Sequence, residues 1–251
     1  MQLSIFAGTN AGKYNTHALS TTDVESFIES MRLDPCRACG TLLQDDALPV
    51  VCRGSANAKI MAFGQGPGID ESVSGKAFSG RSGYFLVNIL KRANFDPDYD
   101  LFMTNVCMCY FNTNEPPNQV VDNCQPNYAK LIDLIKPKLI LAMGLVSTRT
   151  LCDLPQQTKF SNVVGKWQKS IYNIDTFPIY HPAFLLRKEG KRYEKLTESH
   201  LEEFRKRAIE VGIDLKGWNW GNAKSNLNRR LRITDLPVDE PETDQIITHE
   251  T

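Results

Sequence analysis

The sequence predicts an α/β fold, a parallel sheet covered by helices on both faces. Three observations predict it. From Ala58 onward, short apolar runs alternate with segments of helical periodicity. One run, KLILAM at 138–143, is almost continuously apolar, as expected of a strand buried on both sides. The runs also end in chemically distinctive segments, GQGPG, TNVCMC and YHPAFLLR. Ligand sites in such sheets form at the carboxyl ends of strands.

The elements follow in order. Residues 1 to about 20 read as irregular. A short helix is expected over 21–32, with Thr22 as cap and Val24, Phe27, Ile28 and Met31 as its apolar stripe. Strands are expected at 59–63, 100–105, 138–143 and 176–180. Helices are expected at 82–92, with Phe85, Ile89 and Leu90 on one face, at 120–135, from Gly144 to Leu151, and at 196–211. The sheet is therefore mainly parallel and four-stranded. After Gly217 the chain turns polar, basic (KSNLNRRLR) and then acidic (DEPETD), a composition that does not build a core. No internal repeat is visible.

The chain has 251 residues, enough for one large domain with extensions. Lys+Arg (29) and Asp+Glu (29) cancel, so any nucleic-acid contact must use a local basic surface rather than a global field. No run approaches the roughly 18 apolar residues of a membrane span. The N-terminus lacks a basic start followed by an apolar core. The expectation is an intracellular protein of the cytoplasm or nucleoid, neither secreted nor membrane-bound. Seven cysteines in a reducing compartment point to thiols, metal ligands or catalysis rather than to disulfides.

Cys36 and Cys39 form C-x2-C, and Cys109 and Cys124 form C-x14-C. Four thiolates from two distant segments suit zinc or a [4Fe–4S] cluster, and spacing alone does not choose. Ordinary buried thiols are the plain competitor. Cys52, Cys107 and Cys152 read as spare, with Cys107 the nearest to inclusion because it alternates with Cys109. The loop Gly64–Gly68 fails the dinucleotide fingerprint, since Ile69-Asp70-Glu71 follows its third glycine, and the segment Gly8 to Tyr14 fails the nucleotide P-loop.

Taken together, GQGPGIDE with GKAFSGRSG resembles the first motif of family 4, iron–sulfur uracil-DNA glycosylases, usually GE-(A/G)-PG-x-x-E and G-x-PF-x-G-x-(A/S)-G. TNVCMC with its later cysteine resembles that family's TNVVKC segment, LIKPKLILAMG its following helix–strand unit, and YHPAFLLR its HPSxLLR motif. The match runs from about Asp34 to Arg192, in order. It implies a three-layer α/β/α sandwich and a domain spanning 34–213. Residues 1–33 would form an N-terminal extension and 214–251 a polar tail. It also implies that Cys36, Cys39, Cys109 and Cys124 hold a [4Fe–4S] cluster with a structural or DNA-contacting role.

The resemblance implies roles as well. Phe78 would stack on a flipped uracil, though core packing is the usual fate of Phe. Asn105 would pair with uracil N3–H and O4, though a lone Asn at a strand end is by default a turn residue. Glu71 would exclude thymine's methyl group, though a loop carboxylate is ordinarily just solvated. His181 would donate to uracil O2 as charge develops. Gly66 and Gly68 would present backbone amides, with Gln65 beside them in the substrate site. Gly66 stands where better-known uracil glycosylases carry a water-activating aspartate, so catalysis should lean on the leaving group, with Asp70 the nearest spare carboxylate for water. Ala183, Phe184, Leu185 and Leu186 would enter the duplex as a wedge, followed by Arg187, Lys188, Lys191 and Arg192 on phosphates. A short amphipathic turn and a solvated basic loop are the plain alternatives.

Departures from the family pattern include Gln65 for Glu, Cys107 for Val and Met108 for Lys. The reading is a monomeric hydrolase that removes uracil from single- or double-stranded DNA. Its rival is a uracil-DNA recognition protein of the same fold that is non-catalytic or binds covalently. The covalent branch uses a histidine in an inserted loop, whereas YFNTNEPPNQVVDN is of ordinary length and has none.

Overall fold

The computed structural model describes residues 16–40 and 48–219. Its helices are α1 (Thr16–Ser20), α2 (Val24–Leu33), α3 (Ile69–Ser74), α4 (Arg81–Arg92), α5 (Asn118–Ile135), α6 (Leu145–Cys152), α7 (Pro182–Leu185) and α8 (Glu194–Glu210). Its strands are β1 (Arg53–Gly54), β2 (Ile60–Gly64), β3 (Leu101–Asn105), β4 (Leu139–Met143), β5 (Gln168–Lys169) and β6 (Asp175–Ile179). The sheet has six strands in the order β1-β3-β2-β4-β6-β5. The four expected strands form its parallel centre, β3-β2-β4-β6. The expected four-stranded sheet is thus too small by two margins: β1 pairs antiparallel with β3, and β5 with β6. Each margin is two residues long, too short for a period-2 pattern to announce it.

Alternation along the central strands sorts side chains into two cores. Ile60, Ala62, Leu101, Met103, Leu139, Leu141, Phe177 and Ile179 face Leu86, Ile89 and Leu90 of α4 and Leu201, Phe204 and Ala208 of α8. Met61, Phe63, Phe102, Ile140 and Ala142 face Phe27 and Met31 of α2 and Tyr128, Leu131, Ile132 and Ile135 of α5. Helices therefore cover both faces, as a parallel sheet requires. On α4 the inward stripe is Leu86, Val87, Ile89 and Leu90, while Phe85 packs from the flank. Asp23, not Thr22, caps α2 by accepting from Ser26 N at 2.8 Å.

One compact unit extends to Trp218. Its last residues are tied to the amino end of β3, where Asp100 accepts from Lys216 N at 2.7 Å and Gly217 N at 3.0 Å. The P-loop-like segment at 8–14 and the basic and acidic tail stretches lie outside the described residues.

The strand order also positions the site. From β2 the chain crosses to β3 on one side, and then, through α5, to β4 on the other. The connection leaving β2 covers one face of the sheet through α4, and the one leaving β3 covers the other through α5, which opens a crevice between their carboxyl ends. The loop beginning at Gly64 sits at that switch point.

Candidate active site

Gly64 ends β2 and pairs in register with Asn105, the end of β3. A side chain at Gly64 would run into Asn105 Oδ1 and come within 3.1 Å of Phe78 Cζ. The missing side chain is what lets the Phe78 ring and the Asn105 amide approach one another. Asn105 is 2% exposed, and its Oδ1 has no hydrogen-bond partner among the described residues. A buried carbonyl oxygen left unpaired costs about 1–3 kcal/mol, so this atom is set up for a donor that arrives from outside.

Phe78 holds the left-handed backbone conformation (φ 55°). For a bulky residue that is strained, at a cost of about 1–3 kcal/mol, and it persists only where the surroundings enforce it. The enforcement is visible. Arg53 Nη1 donates to Phe78 O at 3.2 Å, while its other nitrogens grip Asp98 at 2.8 and 3.3 Å. That guanidinium holds the Asp98 carboxyl below the usual carboxylate range. Gly83 lies so close that a Cβ there would be 2.5 Å from Phe78 Cα. Nothing in the sequence singled out Arg53, a lone arginine outside every motif.

The loop from Gly64 runs into α3, a six-residue helix with no apolar stripe to announce it. Glu71, in its first turn, is 6% exposed. Its Oε2 accepts from Gly68 N at 3.1 Å and its Oε1 from Gly80 N at 2.9 Å. The carboxylate therefore clasps the start of α3 to the start of α4, on either side of Phe78. Asp70 is exposed, with its carboxylate facing Gly80. Gln65 donates through Nε2 to Asn114 O at 2.7 Å, and the ring of Phe111 lies over Gly66.

His181 follows β6 and caps α7, with Nδ1 accepting from Ala183 N at 3.2 Å. It packs against Gly144 at the end of β4: a Cβ there would be 2.9 Å from His181 Cβ, and Gly144 has φ +89°, where only glycine is at ease. Burial, and then the nearby Arg187 charge, lower the His181 pKa to about 4. The ring is neutral at pH 7. Because Nδ1 is an acceptor, its one proton sits on Nε2. Phe78 and Asn105 thus share one slot, and His181 stands at the same edge of the sheet, on the far side of β4 from β2.

The expected wedge is not a loop but one helical turn. Leu185 is 1% exposed and belongs to the core, and Phe184 stacks on Tyr180 (centroids 5.5 Å apart). Ala183 and Leu186 are half-buried, and Arg187 and Lys188 are exposed.

The cysteines Cys36, Cys39, Cys109 and Cys124 come from the turn after α2, the segment after β3, and α5. Burial, then the Cys124 and Cys36 sulfurs, push the Cys39 thiol up to about 11. Burial and the same neighbours raise Cys109, and Arg37 opposes them. Cys124 is held low by a hydrogen bond from the Cys107 thiol and by Met108 N at 3.5 Å. Asn123 Nδ2 approaches Cys39 Sγ at 3.8 Å. Four sulfurs that sense one another, with amides aimed at two of them, are a donor set suited to a cation of soft character. Among the described residues no three side chains converge to hold a single metal ion.

The family model of the Uracil DNA glycosylase superfamily matches residues 52–207. A type-4 uracil-DNA glycosylase of Pyrobaculum aerophilum is 34% identical over 147 residues, 56% of this chain and 74% of that protein. One from Sulfurisphaera tokodaii is 31% identical over 180 residues, 69% and 80% of the two chains. One from Thermotoga maritima is 26% identical over 177 residues, 70% and 91%. The match takes in the switch-point loop, the Asn105 strand end and the His181 turn, and with it this chain belongs to the uracil-DNA glycosylase superfamily, in its type-4 group.

Proposed function

We propose that this protein excises uracil from DNA by hydrolysing its N-glycosidic bond, leaving an abasic site for base excision repair. The observation that carries the reading is the slot at Gly64, where the ring of Phe78, held on a strained backbone, and an unpartnered amide oxygen meet. Uracil, flipped from the stack, supplies what that oxygen lacks: its N3–H donates to Asn105 Oδ1 while Asn105 Nδ2 donates to O4. Cytosine presents the reverse pattern and is refused. Phe78 stacks on the extruded ring. Glu71, fixed by two backbone amides, holds the loops around the base in the shape that excludes a 5-methyl group.

When the C1′–N1 bond breaks, its electron pair passes to the uracil ring, with charge on O2. His181, neutral with its proton on Nε2, donates to that oxygen, and a preorganised donor of this kind stabilises the transition state by about 2.7–4 kcal/mol. Water then bonds to C1′ and gives up a proton, with the exposed Asp70 carboxylate the nearest base. Leu186 and Ala183 fill the gap in the stack, and Arg187 and Lys188 meet phosphates. Cys36, Cys39, Cys109 and Cys124 would hold a [4Fe–4S] cluster, which supplies a rigid cross-link between segments distant in sequence. The protein acts as a single copy in the compartment that holds DNA. No described helix is long and apolar enough to cross a membrane.

Incubation with matched uracil- and thymine-containing oligonucleotides, followed by alkaline cleavage, tests the reading. Scission is expected only with uracil. Binding of uracil-DNA without an abasic product would sink it.

A further inference from the structure

The segment 110–117 joins Cys109 to α5, which carries Cys124, and it lies against the glycine-rich loop. The two are fastened together at two points. Gln65 Nε2 donates to Asn114 O at 2.7 Å. One residue on, the Phe111 ring covers Gly66 so closely that a Cβ there would lie 2.9 Å from its Cζ and closer still to its Cε1. The ladder between the strands continues beneath them, with Val106 N donating to Gly64 O (3.1 Å) and Cys107 N to Gln65 O (3.0 Å). Phe111 is itself anchored, packing against the core under α5. The segment is braced from within by Thr113 Oγ1 donating to Glu115 O at 2.7 Å.

We propose that Phe111 and Gln65 make the segment 110–117 one wall of the base site, with Phe111 sealing its flank at Gly66 against water and Gln65 the positioning residue that holds the wall shut. This rests on the uracil-excision reading for what the site contains. The chemistry explains both residue types. A hydrogen bond to a developing anion is stronger where water is excluded, so a phenyl ring beside the base strengthens the His181 contact without touching the bond that breaks. The same ring leaves no room at position 66 for a carboxylate. The Asn114 carbonyl needs a donor, which glutamine has and ionised glutamate lacks. The wall is strung between two of the cysteine-bearing segments, so their order bears on the base site through it.

Three variants test this: Gln65→Leu, Gln65→Glu and Phe111→Ala. Amide hydrogen exchange over 110–117, single-turnover uracil excision, inhibition by free uracil, and thermal melting would be measured on the full-length protein. Exchange in the segment should quicken in all three. Excision should slow and uracil inhibition weaken by about five- to tenfold, the worth of one hydrogen bond or sealed contact. Melting should be little changed in the two Gln65 variants and lower in Phe111→Ala, whose ring packs on the core, and Phe111→Leu should restore most of both melting and excision. Unchanged exchange in Gln65→Leu shows that no clamp exists. Quickened exchange with unaltered excision shows a clamp that is no part of the site. Either overturns the inference, while a wild type that never excises uracil overturns the activity and leaves the exchange result standing.

Discussion

His181 and Asn105 show how much of the site is a matter of single atoms left in particular states. The histidine is held neutral, with a pKa of about 4 against its ordinary 6.5. An unfolded chain takes up a proton at this ring below pH 6.5 while the folded one does not. Its contribution to stability is therefore complete above 6.5 and is lost as pH falls through about 4. Excision should follow the same ring: level from neutral pH down to about 5 and falling near 4, where protonated Nδ1 can no longer accept from Ala183. A single-turnover pH profile checks this, and His181→Ala should lower the rate by about 10²–10³-fold at every pH above that point. Asn105 presents the opposite economy. Its unpaired Oδ1 weakens the free protein, an orphan worth about 1–3 kcal/mol, so Asn105→Ala should melt no lower than wild type while excision collapses. A lower melting temperature would mean that the oxygen has a partner in the free protein after all. The chemical identities of these residues were legible in the sequence, through TNVCMC and YHPAFLLR. Their states were not, because a tautomer, an orphaned oxygen and the left-handed φ of Phe78 arise from contacts with Arg53, which no motif contains, and with Gly83 and Gly144, whose motifs do not say what they touch.

The elements divide along the same line. Long apolar runs declared the four central strands and the helices that cover them, since burial on a whole face imposes a period. Short elements carry too few residues for a period, and β1, β5, α3 and α7 were all missed. The turn α7 matters most. Of four apolar residues expected to enter the duplex, Leu185 is spent on the core and Phe184 on Tyr180 and Tyr193. Leu185→Ala should therefore cost about 2–5 kcal/mol of stability, read by denaturant titration. Leu186→Ala should leave stability nearly unchanged and reduce excision from duplex DNA more than from single strands, where no stack must be opened. Equal losses on both substrates would remove Leu186 from the wedge.

At the scale of the molecule, α2 carries its own share of the core, and the cysteine turn that follows it lies against α5 through Asn123, which donates to Ala38 O at 3.1 Å. Purified under reducing, anaerobic conditions, the protein should be brown. Cys109→Ala should abolish the visible absorption and lower the melting temperature, since the proposed cluster would lose one of its ligands. A colourless wild type with full stability would remove the cluster from the picture. The expectation that Cys36, Cys39, Cys109 and Cys124 act together came from spacing, whereas the hydrogen bonds from Cys107 and Met108 to Cys124 depend on how α5 meets the end of β3.

The two margins of the sheet, Arg53–Gly54 and Gln168–Lys169, have a bearing on the company this protein can keep. An incoming extended peptide, or a neighbouring copy in a crowded cell, needs a row of free backbone donors and acceptors to zip onto, and each rim offers it two residues before the chain turns away. Self-templated stacking is starved at both ends, so association with other molecules falls to the loops and helices, the surfaces where a search along a charged polymer leaves no room for sticky seams.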